Sequence, residues 1–201
     1  MTQLKRYRRS LKIIGMLRPV LIAVAFCDEI AHHAYKKFRQ IIYKHRFGKF
    51  GSDFRFDPDG TYTFETIYCG SYVNLGQMPC ITATNSKVSI GSHVMLGTRV
   101  SIRGGNHRTD LVGRFMDSVK ESEKRPEDDL GVVIEDDVWI GDYAIILNGV
   151  RVGRGSIIGA GAVVTKSLEP YSVAVGCPAR VVKRRFDART IVAHERGLQS
   201  A

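Results

Sequence analysis

Aliphatic residues recur at every sixth position over residues 134–166. The residues that open these units are all Ile or Val: Ile134, Ile140, Ile146, Val152, Ile158 and Val164. A helix would place apolar residues every 3.6 positions and a simple strand every second position, so a period of six fits neither. It fits a solenoid coil of three short strands, with one aliphatic side chain per strand pointing inward. Glycine follows three of these aliphatics, at Gly141, Gly153 and Gly159, and would allow tight corners.

The six-residue period is interrupted once. Imperfect units begin near residue 69, and clean units run from Ile90 to Ile102. The next clean unit opens at Ile134, 32 residues after Ile102, which is not a multiple of six. Residues 106–131 are therefore predicted to leave the coil as a charged loop. Long loops without structure of their own are usually functional or disordered.

The pattern predicts one repeat domain with extensions at both ends. The fold class is an all-β solenoid with an N-terminal helical extension and a short C-terminal helix. We expect a basic helical leader over residues 1–50, the repeat domain over residues 51–185 with its loop at 106–131, and a C-terminal helix or tail over residues 186–201.

The excess of positive charge is confined to the leader. Residues 1–50 carry 12 Lys and Arg against 2 Asp and Glu, whereas residues 51–201 carry 18 of each. This distribution disfavours nucleic acid along the solenoid and favours an anionic surface near the N-terminus. Although the start resembles a signal peptide, Arg18 and Pro19 interrupt its apolar run, and Phe26 stands where a cleavage site prefers a small residue. The apolar run is also shorter than the roughly 20 residues that span a bilayer.

From Cys27 onward the apolar residues of the leader have helical spacing. We interpret residues 1–47 as a basic amphipathic helix that makes peripheral contact with an anionic membrane. The alternative is a helix that packs on its own solenoid or on a neighbouring subunit. The expected location is the cytoplasm, at the inner face of the membrane.

The cysteines and histidines predict neither disulfides nor a metal site. The four cysteines show no CxxC spacing and no disulfide framework, which is typical of free thiols in a reducing compartment. A zinc enzyme on such a scaffold, like the γ-class carbonic anhydrases, needs three histidines from adjacent coils. The chain offers His93 and His107 but no third histidine nearby in the sequence, so no metal is predicted.

His107 lies where the predicted loop leaves the coil. A histidine titrates near neutrality and is the usual general base for a hydroxyl or an amine. A lone histidine is more often incidental than catalytic, but its position at the mouth of a long polar loop favours a catalytic function.

Three segments resemble hexapeptide-repeat acyltransferases of the left-handed parallel β-helix class. They are residues 104–110 (GGNHRTD), residues 138–141 (VWIG), and residues 158–166 (IGAGAVVTK) with their continuation at 176–180 (GCPAR). The chain is similar in particular to sugar O-acetyltransferases and to xenobiotic acetyltransferases, over about residues 66–186. The resemblance implies a homotrimer, with acetyl-CoA as co-substrate in each of three clefts between neighbouring coils.

The resemblance also implies roles for individual residues. His107 would be the general base, and Asn106 would shape the loop or touch the acceptor. The partner that orients His107 is left open between Asp110, Glu127, Asp128 and a backbone carbonyl. The backbone N–H of Asp142, after Gly141, would stabilise the oxyanion. The remaining coenzyme-binding residues would hold the pantetheine arm or the phosphates: Trp139, Ala160 and Gly161 for the arm, and Thr165, Lys166, Arg180 and Lys183 for the phosphates.

Each of these residues also has a structural interpretation. Ala160 and Gly161 suit a tight coil, Trp139 suits a subunit interface, and the cations suit a solvated end of the domain. The expected function is acetyl-CoA-dependent O-acetylation of a sugar of a bacterial surface polysaccharide or its lipid-linked precursor. The alternatives are N-acetylation of an amino sugar, acetylation of a xenobiotic such as an antibiotic, and a non-catalytic β-helix scaffold.

Overall fold

The computed structural model describes the backbone of residues 2–199 and the side chains of residues 17–199. The chain divides into two units, residues 1–42 and residues 43–201. Residues 2–42 of the first unit belong to helix α1 (Thr2–Lys44), which contains Pro19 in its interior. Large apolar side chains of this unit are exposed, among them those of Leu17, Val24 and Phe38. Within the described part of the chain, no helix combines the length and the apolar character needed to cross a membrane.

The second unit is a β-helix of three sheets, and from the third strand to the twelfth successive strands belong to the three sheets in rotation. Sheet 1 contains β1 (Thr61–Tyr62), β3 (Cys80–Thr82), β6 (Ser101–Arg103), β9 (Ile145–Ile146) and β12 (Val163–Val164). Sheet 2 contains β2 (Ile67–Cys69), β4 (Val88–Ile90), β7 (Val132–Ile134) and β10 (Arg151–Val152). Sheet 3 contains β5 (Met95–Leu96), β8 (Trp139–Ile140), β11 (Ile157–Ile158), β13 (Ser172–Val175) and β14 (Arg180–Arg184). All the pairings are parallel except that of β13 with β14.

The six-residue period corresponds to one side of each triangular coil. Every aliphatic residue that opens a unit between Ile134 and Val164 is at most 1% exposed. Equivalent positions stack from coil to coil, as in the row Ile102, Ile146 and Val164 of sheet 1. The predicted solenoid, with a helix at each end of the chain, is confirmed.

The glycines that follow the aliphatics serve close packing between coils. A Cβ atom at Gly141 would lie 2.6 Å from the backbone nitrogen of Ala160, and one at Gly153 would lie 2.4 Å from that of Pro170. The left-handed residues that turn the corner come two positions later, at Tyr143 (φ +59°) and Gly155 (φ +69°). The corner is therefore turned by a residue that need not be glycine.

The two ends of the coil are closed by different elements. At the N-terminal end, Phe47 contacts Phe54, Phe56 and Phe64 with ring centroids 4.9–5.0 Å apart, and all four rings are buried. At the C-terminal end, β14 pairs antiparallel with β13, and helix α2 (Ala188–Gln199) follows. The long loop leaves after β6 and returns at β7, with short 3₁₀ helices at Met116–Ser118, Glu121–Glu123 and Pro126–Asp129.

Candidate active site

The neck of the long loop is tied to the coil by backbone hydrogen bonds. The N–H of Gly131 donates to the carbonyl of Gly104 at 2.9 Å, and the N–H of Asn106 donates to that of Asp128 at 2.7 Å. Gly105 allows the outgoing and returning segments of the loop to lie this close together, because a Cβ atom at this position would lie 2.0 Å from an Asp129 carboxylate oxygen. His107 therefore extends from a fixed neck, although it belongs to an irregular segment.

His107 is exposed and lines a polar cleft of about 200 Å³. The charged side chains of the cleft are those of Arg103, His107, Glu121, Lys124 and Asp129. Lys124 lies 3.1 Å from Glu121 and 3.3 Å from Asp129. Hydrogen bonds from Lys124 and from Asn85, together with the charge of His107, hold the pKa of Glu121 below its usual value. Glu121 therefore stays ionised near neutral pH and places a negative charge in the cleft that His107 lines.

The three carboxylates considered as partners of His107 are held by arginines instead. Asp110 lies 2.8 Å from Arg108 and 3.1 Å from Arg125, and hydrogen bonding by Arg108 lowers its pKa. Glu127 lies 3.3 Å from Arg125, and the nearly buried Asp128 lies 3.1 Å from it. Among the described residues none of the three makes a hydrogen bond to His107. Their ion pairs organise the loop.

A second group of predicted residues lies at the corner between sheets 3 and 1. Gln77, Thr98, Asp142 and Ala160 are equivalent there in successive coils, and we call this the amide corner. The N–H of Thr98 donates to the Asp142 carboxylate of the next coil at 2.7 Å. The same arrangement occurs at a neighbouring corner, where the N–H of Ser92 donates to Asp136 at 2.7 Å.

The N–H of Asp142 has no such acceptor within the described residues, because the next coil presents Ala160. Asp142 and Ala160 are both exposed, so this corner lies at the surface. Gly161 beside it has φ +67°, and a Cβ atom there would meet no heavy atom within 4 Å. The amide corner thus offers open backbone that would fit the coenzyme arm and an oxyanion.

Sheet 3 continues outward from the amide corner. Trp139 is 51% exposed and stands in one register row with Met95, Ile157, Val173 and Lys183. Three strand spacings separate Trp139 from Lys183, about 14 Å along the axis. Arg180 lies on the same strand as Lys183 and is exposed. An apolar strip that ends in cations would suit a ligand with an apolar arm and terminal phosphates.

The remaining predicted residues lie at another corner. Thr165 and Lys166 are exposed after β12, at the corner between sheets 1 and 2 from which the His107 loop leaves. This loop corner is one full side of the coil away from the amide corner, six residues or about 20 Å of extended chain. Within one chain the structure brings Trp139, Asp142, Ala160 and Lys183 to neighbouring surfaces, but places His107 elsewhere.

The structure adds residues that the sequence did not single out. Asn148 accepts a hydrogen bond from the N–H of Gly131 at 3.1 Å and donates to the carbonyls of Glu127 and Asp128, both at 3.3 Å. It therefore fastens the returning loop to the next coil. The sequence Asn148-Gly149 predicts a turn. That the Asn148 side chain contacts the loop is seen only in the structure. Asn85 acts similarly on the other side, 3.2 Å from Asp129.

No group of three or more His, Cys, Asp and Glu side chains is arranged to bind a metal ion in the part of the chain that the structure describes.

The chain is similar to known hexapeptide-repeat proteins. The bacterial transferase hexapeptide family, in six repeats, matches residues 131–166. A chloramphenicol acetyltransferase of Agrobacterium fabrum is 39% identical over 115 residues, which are 52% of this chain and 55% of the relative. A galactoside O-acetyltransferase of Lactococcus lactis subsp. lactis is 35% identical over 115 residues, 56% of this chain and 50% of the relative. This chain spans about half the length of these curated relatives.

The fold is similar to that of a solved hexapeptide-repeat-containing acetyltransferase of Vibrio cholerae O1 biovar El Tor, a structure in complex with acetyl coenzyme A. The TM-score is 0.59 at 24% identity, covering 76% of this chain and 79% of that one. Together with the matched repeats, this confirms the predicted left-handed β-helix and the resemblance to hexapeptide-repeat acetyltransferases.

Proposed function

We propose that this hexapeptide-repeat protein transfers an acetyl group from acetyl-CoA to a hydroxyl of a sugar, in a bacterial surface polysaccharide or its precursor. The observation that carries the proposal is His107, held at the neck of the loop in a polar cleft that Glu121 and Asp129 also line. The likeness to acetyltransferases over about half of the chain supports the reaction class.

In this mechanism His107 takes the proton of the acceptor hydroxyl as the oxygen attacks the thioester carbonyl. Glu121 places a negative charge in the same cleft, and the open N–H of Asp142 donates to the tetrahedral oxyanion. Collapse of the intermediate breaks the C–S bond, and the imidazolium returns its proton to the leaving thiolate. Trp139, Ala160 and Gly161 would hold the pantetheine arm, and Arg180, Lys183, Thr165 and Lys166 would meet the phosphates.

A homotrimer follows from the same proposal. His107 and Asp142 act on one reaction centre but lie at different corners of one chain, about 20 Å of extended chain apart. The loop corner of one copy must therefore face the amide corner of a neighbour. When such contacts between different corners close into a ring, every loop corner has an amide corner opposite it. The predicted three-fold ring therefore has three complete sites.

Transfer to a drug, or to the nitrogen of an amino sugar, is the second candidate. The relative of Agrobacterium fabrum is named a chloramphenicol acetyltransferase, and its alignment is the more similar of the two reported. A general base at His107 serves an amine or a drug hydroxyl as well as a sugar hydroxyl, so acceptor trials must include all three.

The test is release of coenzyme A thiol in the presence of hexoses, amino sugars, nucleotide sugars and chloramphenicol-like drugs. We expect His107→Ala to lower kcat by about 10²–10⁴-fold while coenzyme binding persists. The matched control is His93→Asn, because His93 stacks on Tyr72 at 4.8 Å outside the cleft and has φ +58°, which asparagine tolerates. Full activity of the His107 variant would remove this residue from the mechanism. Absence of coenzyme binding would leave the scaffold alternative.

We also propose that residues 1–47 contact an anionic membrane, which would bring the protein to a lipid-linked acceptor. The 12 Lys and Arg of residues 1–50 and the exposed Ile22 and Phe26 support this contact. Sedimentation with phosphatidylserine vesicles should be strong at low salt and weaken at 0.5 M salt, because screening shortens electrostatic attraction. Equal sedimentation with neutral vesicles would contradict an electrostatic contact.

A further inference from the structure

Helix α1 carries a heptad pattern that neither the active site nor the membrane proposal explains. Nine apolar residues recur with alternating spacings of four and three: Ile13, Leu17, Val20, Val24, Cys27, Ala31, Ala34, Phe38 and Ile41. We call them the α1 seam. If the same four-three pattern is shifted by one to six residues within residues 13–41, it always includes at least one charged residue. Alternating four-three spacing over four heptads is the signature of a helix that packs along another helix.

The α1 seam is exposed wherever its larger side chains are described. Leu17 is 48% exposed, Val20 58%, Val24 61%, Phe38 59% and Ile41 68%. The seam extends over 28 residue steps, about 42 Å at 1.5 Å per residue. Leaving an apolar stripe of this length in water is unfavourable, so the seam needs a partner of similar length.

The residues around the seam fit a bundle of identical helices. With Leu17 in heptad position a and Val20 in position d, the flanking e and g positions include Leu21, Ile30 and Ile42, which widen the apolar stripe. Charged residues occupy the outer positions b and f in the second half of the helix, as at Glu29, Lys36 and Arg39. A stripe wider than the a and d positions is buried better by two partner helices than by one.

We infer that α1 forms a parallel, in-register bundle with the α1 helices of other copies of this chain. The three-fold arrangement proposed for the β-helix supplies two partners whose helices begin at the same end. The interaction needs no acetyl transfer, so its failure and that of the proposed reaction are measured separately.

Cys27 provides a direct test because it occupies a d position and is exposed. In a parallel, in-register bundle the same d residue of neighbouring helices lies side by side. The experiment uses the full-length protein with Cys177→Ser, since Cys177 is also exposed. Mild oxidation with copper-phenanthroline is followed by non-reducing electrophoresis. We expect disulfide-linked dimers to form at a rate that does not change when the protein is diluted.

The control moves the thiol to an outer position of the same helix. The variant Cys27→Ala with Glu29→Cys places it at position f, and we expect cross-linking at least about tenfold slower there, because f positions of neighbouring helices point apart. A variant without Cys27 and Cys177 measures the background from Cys69 and Cys80. Adding Val24→Lys at position a should slow Cys27 cross-linking, whereas Ala25→Lys at position b should not.

Three results would overturn the inference. Equal cross-linking at positions 27 and 29 would describe tethered helices that collide at random. A Cys27 thiol that does not cross-link and is shielded from a soluble maleimide only by added phosphatidylserine vesicles would assign the seam to the membrane. A thiol shielded without vesicles and without cross-linking would assign it to the chain's own second unit. If Cys177→Ser fails to fold, peptide mass spectrometry of the oxidised natural chain identifies the Cys27–Cys27 disulfide directly.

Discussion

A graded series at Ala160 tests whether the open N–H of Asp142 is a catalytic donor. Side chains at equivalent corner positions cap the N–H of the coil below, with Asp142 on Thr98 at 2.7 Å and Ser92 on Ser71 at 3.1 Å. Ala160→Ser and Ala160→Asp should therefore cap the N–H of Asp142. A new neutral hydrogen bond contributes about 0.5–1.5 kcal/mol and one to a carboxylate about 1.5–3 kcal/mol. The capped variants should be more stable, and an increase of 1 kcal/mol raises Tm by about 2–4 °C.

The same caps should lower the rate of acetyl transfer. The oxyanion must displace the new acceptor before it can bind the N–H, so the barrier rises by about the free energy of the cap. At 1.36 kcal/mol per decade the Ser variant should lose about 2- to 13-fold in kcat and the Asp variant about 10- to 150-fold. A cap that cannot be displaced would approach the 10²–10³-fold loss that follows removal of an oxyanion donor.

The assay combines thermal unfolding, thiol release and coenzyme binding on the same preparations. Ala160→Cys is the control of matched size, because sulfur is a weak acceptor and should leave the rate nearly unchanged. Asp136→Ala is the opposite control, since it removes the cap from Ser92 at a corner outside the site and should lower Tm alone. Equal rate losses in the Ser and Cys variants would mean that side-chain size obstructs the coenzyme, and the donor role of Asp142 would be refuted.

Three further predictions concern the loop and the core. Asn148→Ala removes the side chain that fastens the returning loop, so cleavage of the loop in limited proteolysis should rise about 5- to 30-fold, corresponding to about 1–2 kcal/mol. In the Asn148→Asp variant the loop should be cleaved faster still, because a carboxylate would face and repel the carbonyls of Glu127 and Asp128. Ile146→Ala, at a fully buried position, should lower the free energy of unfolding by about 2–5 kcal/mol, whereas Ile145→Ala on the outer face of the same strand should cost about 1 kcal/mol or less in denaturant unfolding. The hydrogen bond from Arg114 lowers the pKa of Glu123 to about 2 from its usual 4.5, so this pair stabilises the loop above pH 4.5 and is lost as the pH falls toward 2. Pepsin cleavage of the loop should accelerate over that range, and Glu123→Gln should flatten the dependence; a profile unchanged by this substitution would contradict the assignment.

The buried positions of the coil could be predicted from the sequence, because the spacing of the aliphatic residues directly reflects how they pack inside the coil. Ile140, Ile146 and Val152 lie six residues apart, and six residues make one side of a triangular coil. A period of six has no simpler explanation. The same row predicts that a segment leaves the coil, because the inward aliphatics resume out of phase after Ile102.

The candidate site could be predicted as a set of residues but not as an arrangement. The pairs that build the loop are remote in sequence, such as Asn85 with Asp129, 44 residues apart. Nothing local in the sequence says that Asp110 contacts Arg125 rather than His107, because both arrangements satisfy the charge of a carboxylate. The left-handed corner residues were also hidden, since Arg99 and Tyr143 adopt that conformation without being glycine.

The coil separates stability from chemistry, and this explains why the predicted residues fall where they do. Inward positions are shared by every coil, and a change there leaves a cavity that the tight stack cannot close. A corner hydrogen bond, such as that from Thr98 to Asp142, contributes about 0.5–3 kcal/mol, so a single one can be lost without unfolding the coil. Ala160 lacks the side-chain acceptor that other corners have, so within the described residues the backbone N–H of Asp142 has no hydrogen-bond acceptor. A donor at one corner and a base at another corner of the same chain become useful only when copies pack side by side. If the proposed function holds, acetyl transfer by this chain depends on assembly, and we expect a variant that folds normally but stays monomeric to bind neither acceptor nor coenzyme productively.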